Sequence, residues 1–426
     1  MHDSPPLLTT LPNGVRVLVL PLAHVQTAAV SVYIRTGSAH EPRKLHGISH
    51  VVEHMVFKGA GRRSAHRINL DAERLGAEVN AHTDKDHTAF YIRGLAAHAP
   101  RFVHMLADLV RRPLFPADEL EREREVLLSE HAEVQDDPMS AAFELFDRAC
   151  WGSHPAAQSV IGLRHTIESL TRQDMVDYVQ QRYSGANVVV AVAGQVDPQA
   201  LLREVDAAFG SMQRGVAHSL SPPAWSGGMR TRCQAGTSQA HWVLGFAAGA
   251  RADDDPAAEV AATVLGEGMS SPLLSELRER RGLVYHVACA LDRFEMCGQF
   301  TIEAACAPAK LDECLRVSAG LLSAQADQVT RIDLERARNQ MAMRLLRTRE
   351  RPARWLEESA LDVLACGRVR SPAERLAQVH AVTAAQVRAV FQRMLASGAA
   401  AGLAGSLGRG IRARLQEGLG PLLRQG

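Results

Sequence analysis

The sequence predicts an α+β protein made of two homologous α/β sandwich domains, each a mostly antiparallel sheet with helices on one face. Three observations carry this. Strand-like alternation and helix-like periodicity take turns along the chain. The same order of elements occurs twice. A stretch rich in Ser, Pro and Gly, SMQRGVAHSLSPPAWSGG (211–228), parts the two copies. At 426 residues the chain is also too long for one ordinary core. The expected division is a first domain over 1–212, a linker over 213–228, a second domain over 229–405 and a tail over 406–426.

The first copy opens with two alternating runs, GVRVLVL (14–20) and AVSVYIRTG (29–37), which read as strands. HWVLGFAAG (241–249) stands at the matching place in the second. Each copy then has a strand running into a helix, TAFYIRGLAAHAPRFVHMLADLV (88–110) and GQFTIEAACAPAKLDECLRVSAGLL (298–322). The next helices begin alike, LEREREVLLSE (120–130) and LERARNQMAMR (334–344). A further helix ends in cysteine and glycine in both, FDRACWG (146–152) and LDVLACG (361–367). Both copies close on a helix and an apolar strand, MVDYVQQRYSGANVVVAVAG (175–194) and VRAVFQRMLASGAAAGLAG (387–405). The Gly-, Arg- and Leu-rich remainder reads as a tail or short helix.

Composition narrows the function. With 46% hydrophobic and 22% charged residues the chain is ordinary for a globular protein. The 48 basic and 47 acidic residues nearly cancel, which argues against a nucleic-acid partner. No stretch reaches the roughly 20 apolar residues of a membrane helix, so no membrane partner is expected. The start, MHDSPPLLTTLPNG, lacks the basic and apolar regions of a secretory signal. The seven cysteines show no CxxC pattern and none lies in the first 149 residues. Reduced, buried thiols and a cytoplasmic address follow. A periplasmic address would require a signal removed before the first residue.

The chemistry gathers in HGISHVVEHMVFKG (46–59). Its apolar positions have helical spacing, and Gly59 suits a C-terminal stop. Residues i and i+4 share a helix face, so His50 and His54 can reach one metal ion. Glu53 projects beside that ion, placed to hold a water molecule without being a ligand. This is the inverted zinc-protease order, H-x-x-E-H. Zinc needs a third protein ligand and an open fourth position. The acidic helix DELEREREVLLSEHAEVQDD (118–137) offers Glu123 and Glu130, two turns apart on one face. Spacing alone does not separate them. At the matching places the second copy has Ala337 and Arg344, and it has no H-x-x-E-H. Histidines and glutamates are thus absent together, as one functional unit would be.

The run HVVEHMVFKG (50–59) resembles the signature of the insulinase/pitrilysin-type zinc metallopeptidases, peptidase family M16. It resembles in particular the short bacterial members similar to mitochondrial processing peptidase. The resemblance continues through GAEVNAHTDKDHTAFY (76–91) and GEGMSSPLLSELRERRGLVYHV (266–287) and spans about residues 8–405. It implies a metallohydrolase-like fold of the LuxS/processing-peptidase type. It also implies a zinc endopeptidase that cleaves peptides or leader segments in an enclosed chamber. The family's ligand spacing places the third zinc ligand on Glu130, beside His50 and His54, and makes Glu123 a supporting glutamate. One Zn2+ per chain is expected. Glu53 takes the place of the general base. Asn80, Ala81, His82 and Thr83 match the family's substrate strand, where a peptide adds by backbone hydrogen bonds. Phe57 matches a position lining the pocket for the residue after the cut. Arg278 and Tyr285 match a pair brought to the active site, Tyr285 towards the oxyanion and Arg278 towards the substrate.

One departure is informative. The acids with which mitochondrial relatives read a basic substrate residue align with Ser140 and Glu144, so a strict arginine preference is not expected. Family chambers need four such domains, and this chain supplies two. A homodimer is therefore expected, with a heterodimer containing a zinc-less sister chain as the alternative. A non-catalytic assembly subunit and a zinc hydrolase of non-peptide substrates are the competing classes. The complete set His50, Glu53, His54 and Glu130 disfavours the first, and Asn80–Thr83 with Arg278 and Tyr285 disfavours the second.

Overall fold

The computed structural model describes residues 5–419 and 422. Residues 1–4 and the end of the expected tail, 420, 421 and 423–426, lie outside the described residues. The first half runs β1 (Leu7–Thr10), β2 (Arg16–Pro21), β3 (Thr27–Ile34), α1 (Ile48–Val56), β4 (Gly59–Ala60), β5 (Arg63–Ser64), α2 (Ala65–Glu73), β6 (Glu78–Thr83) and β7 (Thr88–Leu95). It continues with α3 (Ala99–Arg111), α4 (Ala117–Asp136), α5 (Pro138–Trp151), α6 (Arg164–Ser169), α7 (Arg172–Arg182), β8 (Val188–Gly194) and α8 (Pro198–Phe209). The second half runs β9 (Gly228–Cys233), β10 (Ala240–Ala248), α9 (Pro256–Gly266), β11 (Val284–Arg293), β12 (Gly298–Cys306), α10 (Leu311–Asp327) and α11 (Arg331–Arg349). Then come α12 (Pro352–Cys366), α13 (Pro372–Ala381), α14 (Ala384–Ser397), β13 (Ala400–Gly405) and α15 (Ile411–Leu419). Residues 213–227 of the expected linker are neither helix nor strand. The opening strand β9 has charged residues at alternate places, Arg230 and Arg232, and went unread in the sequence.

The first sheet has the order β1-β2-β8-β3-β7-β6, and the second β9-β13-β10-β12-β11 when read in the corresponding direction. In each, one pair is parallel, β2 with β8 and β9 with β13, and all others are antiparallel. Strand β6 lies at the edge of its sheet. Among the described residues no helix is long and apolar enough to cross a membrane.

The chain forms two compact units, and neither is a continuous segment. The first contains the described residues up to His131, with Ser159–Leu220 and Thr348–Arg370. The second contains Ala132–Gln158, Ser221–Arg347 and the described residues from Ser371 on. The boundaries expected at 212 and 229 therefore follow the chain, whereas the compact units exchange one helix each: α12 joins the first and α5 the second.

The exchange has a physical cause. Every residue of β8, VVVAVAG, is buried, so both faces of that strand need cover. One face packs on helices of its own half, with Val190 and Val192 in a core with Val52, Phe102 and Leu106. The opposite face of the sheet carries Leu18 and Leu20 of β2 with Val189 and Ala191 of β8, and α12 covers it with Trp355, Leu356, Ala360 and Val363. Leu356 and Val363 are wholly buried, worth about 1.5–3 kcal/mol each in transfer terms. Arg370 and Asp362 form an ion pair that is almost fully buried, Arg370 Nε donating to Asp362 Oδ2 at 2.9 Å. In the second unit α5 lies against β9, β10 and β13. A Cβ at Gly245 would meet Phe146 Cζ at 2.5 Å, and one at Gly402 the Ala142 carbonyl at 2.1 Å. The sheet is notched by glycine where α5 crosses it.

Candidate functional site

Helix α1 is held at its start and buried along one face. Gly47 precedes it at φ 98°, and a Cβ there would meet Gly162 Cα at 2.8 Å. No side chain of the helix itself caps this end. Glu41 does so from outside, accepting from the Gly47 amide at 2.6 Å and the Ser49 amide at 2.8 Å. Burial pushes the Glu41 carboxyl up to about 8, against the pull of those two bonds. Sequence reading missed this cap; the signal was an acid just upstream of a helix that begins on glycine. Ile48, Val51, Val52 and Met55 anchor the other side of α1 in the core.

That anchoring leaves His50 and His54 side by side, with ring centroids 4.6 Å apart. Both turn Nε2 towards one oxygen of Glu130. His50 Nε2 lies 3.8 Å and His54 Nε2 3.6 Å from Glu130 Oε2. These gaps are long for hydrogen bonds. They suit ligands that share one ion, since zinc–ligand bonds of about 2.0–2.1 Å in a tetrahedron place neighbouring donors ~3.3 Å apart. The three donor atoms all lie within 4.8 Å of one another. Two imidazoles and a carboxylate form a donor set that zinc accepts, so the residues fit the ion. The Glu130 side chain is 42% exposed, which leaves that side of the cluster open to solvent.

The structure gives Glu123 a different position from Glu130, a distinction that spacing could not make. Glu123 is buried on α4, and its Oε1 lies 2.8 Å from His54 Nδ1. A carboxylate only accepts here, so Nδ1 carries a proton, and in the neutral ring Nε2 is the nitrogen left for a ligand bond. Lys58 Nζ closes the arrangement at 2.5 Å from Glu123 Oε2, pairing a charge that would be costly to bury alone. Burial, helped by neighbouring His54, lowers the His50 pKa to about 4 and keeps its imidazole neutral.

Glu53 stands next to this cluster. Thr83 Oγ1 donates to Glu53 Oε2 at 2.6 Å. Burial raises the Glu53 pKa, with the Thr83 bond and His54 opposing it and Glu130 adding to it. Edge strand β6 thus touches the site through Thr83. Its residues alternate between faces. Ala81 packs in the core shared with α1, whereas His82 lies on the opposite face. There it lines a cavity of about 540 Å3 with Tyr33, Tyr91, Arg93 and the start of α12. His82 Nε2 is 3.3 Å from His87 Nε2, and His87 Nδ1 is 2.7 Å from Asp86. Asn80 is exposed, and its Oδ1 accepts from the Ala81 amide at 2.8 Å. Phe57 ends α1 and packs, half-buried, against the first core.

Arg278 and Tyr285 belong to the second unit and come together there. Arg278 sits in a π-helical segment, Leu274–Arg280, its guanidinium carbon 5.5 Å from the Tyr285 ring centroid. Tyr285 is 85% exposed, so its hydroxyl is accessible. Glu144 accepts from Gln135 Nε2 through both carboxylate oxygens, at 3.1 and 3.2 Å, and Asp137 caps α5 by accepting from the Ser140 amide.

Comparison with known proteins identifies the family. The family model described as insulinase (peptidase family M16) matches residues 16–163, and that of the peptidase M16 inactive domain matches residues 169–341. An uncharacterized zinc protease of Mycobacterium tuberculosis is 34% identical over 92% of this chain and 91% of its own length. A Bacillus subtilis protein of the same description, YmxG, is 30% identical over 90% of this chain and 94% of its own. Among solved structures, a Helicobacter pylori protease superposes with a TM-score of 0.86 at 21% identity, covering 95% of this chain and all of that one (100%). A chain of Complex III2 from Candida albicans gives 0.82 at 18%, covering 94% and 95%; at such identities these likenesses bear on the fold. The chain belongs to the insulinase family of peptidases, M16.

Proposed function

We propose that this chain is a zinc-dependent endopeptidase that cuts peptides or leader segments lying as an added strand along β6. The observation that carries the reading is the convergence of His50, His54 and Glu130 on one point, with Glu53 alongside. Zinc held by those three, one ion per chain, would acidify a water molecule and polarise the carbonyl to be attacked. Glu53 takes the proton from that water and returns it to the leaving amine. The Thr83 hydroxyl holds the Glu53 carboxylate in place. Glu123 and Lys58 fix the tautomer and angle of His54. Asn80, Ala81, His82 and Thr83 offer the backbone edge to the peptide, and Phe57 borders the position after the cut. Tyr285 donates to the developing oxyanion and Arg278 orients the substrate, supported by the exposure of Tyr285.

The reading extends to a homodimer enclosing the substrate in a chamber, in the cytoplasm. A second reading, a subunit that needs a sister chain, draws on the fold likeness to a component of a multi-subunit complex. Metal analysis, sedimentation and cleavage of a mixed peptide library test both. Bound zinc with cleavage by the wild type alone, and none by zinc-loaded Glu53→Gln, supports the first. Zinc without cleavage points to the sister chain, and no zinc at all sinks the enzyme reading.

A further inference from the structure

Just past α1 the chain turns basic, in GAGRRSAHR (59–67). The arginines of this stretch meet Arg101 of α3 and the residues that end α2 and α3, Arg74 and Arg112, at two adjoining cavities of about 390 and 680 Å3, which share Arg63 and Arg67. Six arginines line the pair: Arg62, Arg63, Arg67, Arg74, Arg101 and Arg112. Only two carboxylates lie among them, Asp71 and Asp108. Each is taken by two guanidinium groups. Arg63 and Arg67 reach Asp71 at 3.0 and 2.8 Å, and Arg63 and Arg112 both pair with Asp108. His104 at the same cleft is tied to Glu204 at 2.8 Å. Arg62, Arg74 and Arg101 have no acidic partner among the described residues. The chain as a whole carries a net charge of only +1, so this positive charge is concentrated in place.

We propose that this cleft is an exosite for an acidic peptide segment, gripped by Arg62, Arg74 and Arg101 over a frame built by Arg63, Arg67 and Arg112. The two aspartates preorganise the frame, since a guanidinium held by one carboxylate presents its remaining donors in a fixed direction. Leu75, Met105 and Leu114 lie between the charged groups and suit the apolar side chains of a peptide. The lining contains no Phe, Tyr or Trp ring on which nucleic-acid bases could stack, and its one imidazole, His104, is tied to Glu204. The concave shape disfavours a flat lipid surface. Elements β4, β5 and α2 follow the α1 helix directly, so a segment held here lies on the same unit as the cluster of His50 and His54.

The test reads binding and needs no turnover, so it stands apart from the peptidase reading. A fluorescein-labelled peptide alternating Glu with Leu is titrated with the full chain and followed by anisotropy, beside its Gln-for-Glu analogue. The titration is repeated on Glu53→Gln, so that cleavage of the probe cannot pass for weak binding. The acidic probe should bind, lose affinity as salt is added, and weaken by ~10-fold or more in Arg74→Glu/Arg101→Glu. Arg347→Glu/Arg412→Glu, the same charge change at exposed sites of the second unit, should leave it unchanged, with melting curves checking that both variants fold. Equal binding of the Gln analogue, or equal loss in both double variants, overturns the proposal. Inorganic polyphosphate or a single-stranded oligonucleotide binding more tightly than the peptide at the same cleft also overturns it.

Discussion

The two halves fold to one plan and differ in what they do with one helix. Strand order and the single parallel pair agree, and α9 occupies the place in the sequence of elements that α1 holds in the first half. Yet α1 presents His50 and His54, whereas α9 reads PAAEVAATVLG and buries alanines and valines. Where the first half has Glu130 turned to two imidazoles, the second has Arg344 paired with Glu267 at 2.7 Å. Thr263 and the Arg336 bond to the Glu267 carbonyl hold the same loop. An ion pair of the chain's own side chains therefore stands where the first half brings His50, His54 and Glu130 together. The fold tolerates either solution, so the histidines and glutamates of the first half are not required by the fold.

That contrast can be broken at several points. The largest effect is expected from Glu53→Gln, a loss of ~10²–10⁴-fold in peptide cleavage with zinc content unchanged; equal loss of zinc would mean that Glu53 supports the cluster instead. Asp362→Ala removes the buried carboxylate paired with Arg370 and should cost ~3–5 kcal/mol in denaturant unfolding. A loss below ~1 kcal/mol would show that α12 contributes little. Glu123→Gln, which weakens the hold on His54, should lower zinc affinity by ~10–100-fold in a competitive chelator titration; unchanged affinity would remove Glu123 from the site.

Acid gives a fourth test. Burial drives the His40 pKa down to about 3, with His218, Arg182 and Arg35 adding to the effect and Asp86 opposing it. The unfolded chain binds this proton near pH 6.5 and the folded chain does not. Stability is thus fully present above pH 6.5 and drains away as pH falls towards 3. His40→Gln should flatten that slope in melting curves; an unchanged slope would place the acid sensitivity elsewhere. Arg344→Glu, the smallest change, should cost at most ~1 kcal/mol because its ion pair is half-exposed. It should create no metal binding by the second half.

Much of this was legible in the residues. The repeat showed in the shared order of elements, and the i, i+4 histidines marked the helix that carries the candidate site. Glu123 and Glu130 stayed equivalent because seven residues on a helix fix a face and say nothing of depth. Depth separates them, one buried against Lys58 and the other half-open to water. The helix exchange was illegible for a related reason. The apolar stripe of α12 shows that a face must be covered, and any sheet with an open apolar face would satisfy it. The all-apolar run of β8 was the available clue, because a strand with one wet face alternates. Glu41 was hidden because its partners are amides, which every residue carries.

The exchanged helices tie the two halves into one folding problem. A gene split in the 213–227 segment would yield fragments that each carry a helix built for the other's sheet. The first fragment would bare Leu18, Leu20, Val189 and Ala191 to water, and the second would bare the glycine notch at Gly245 and Gly402. Such pieces would be sticky alone and soluble together, reassembling by complementation as a split enzyme does. Fission of this chain would leave obligate partners, not two independent modules.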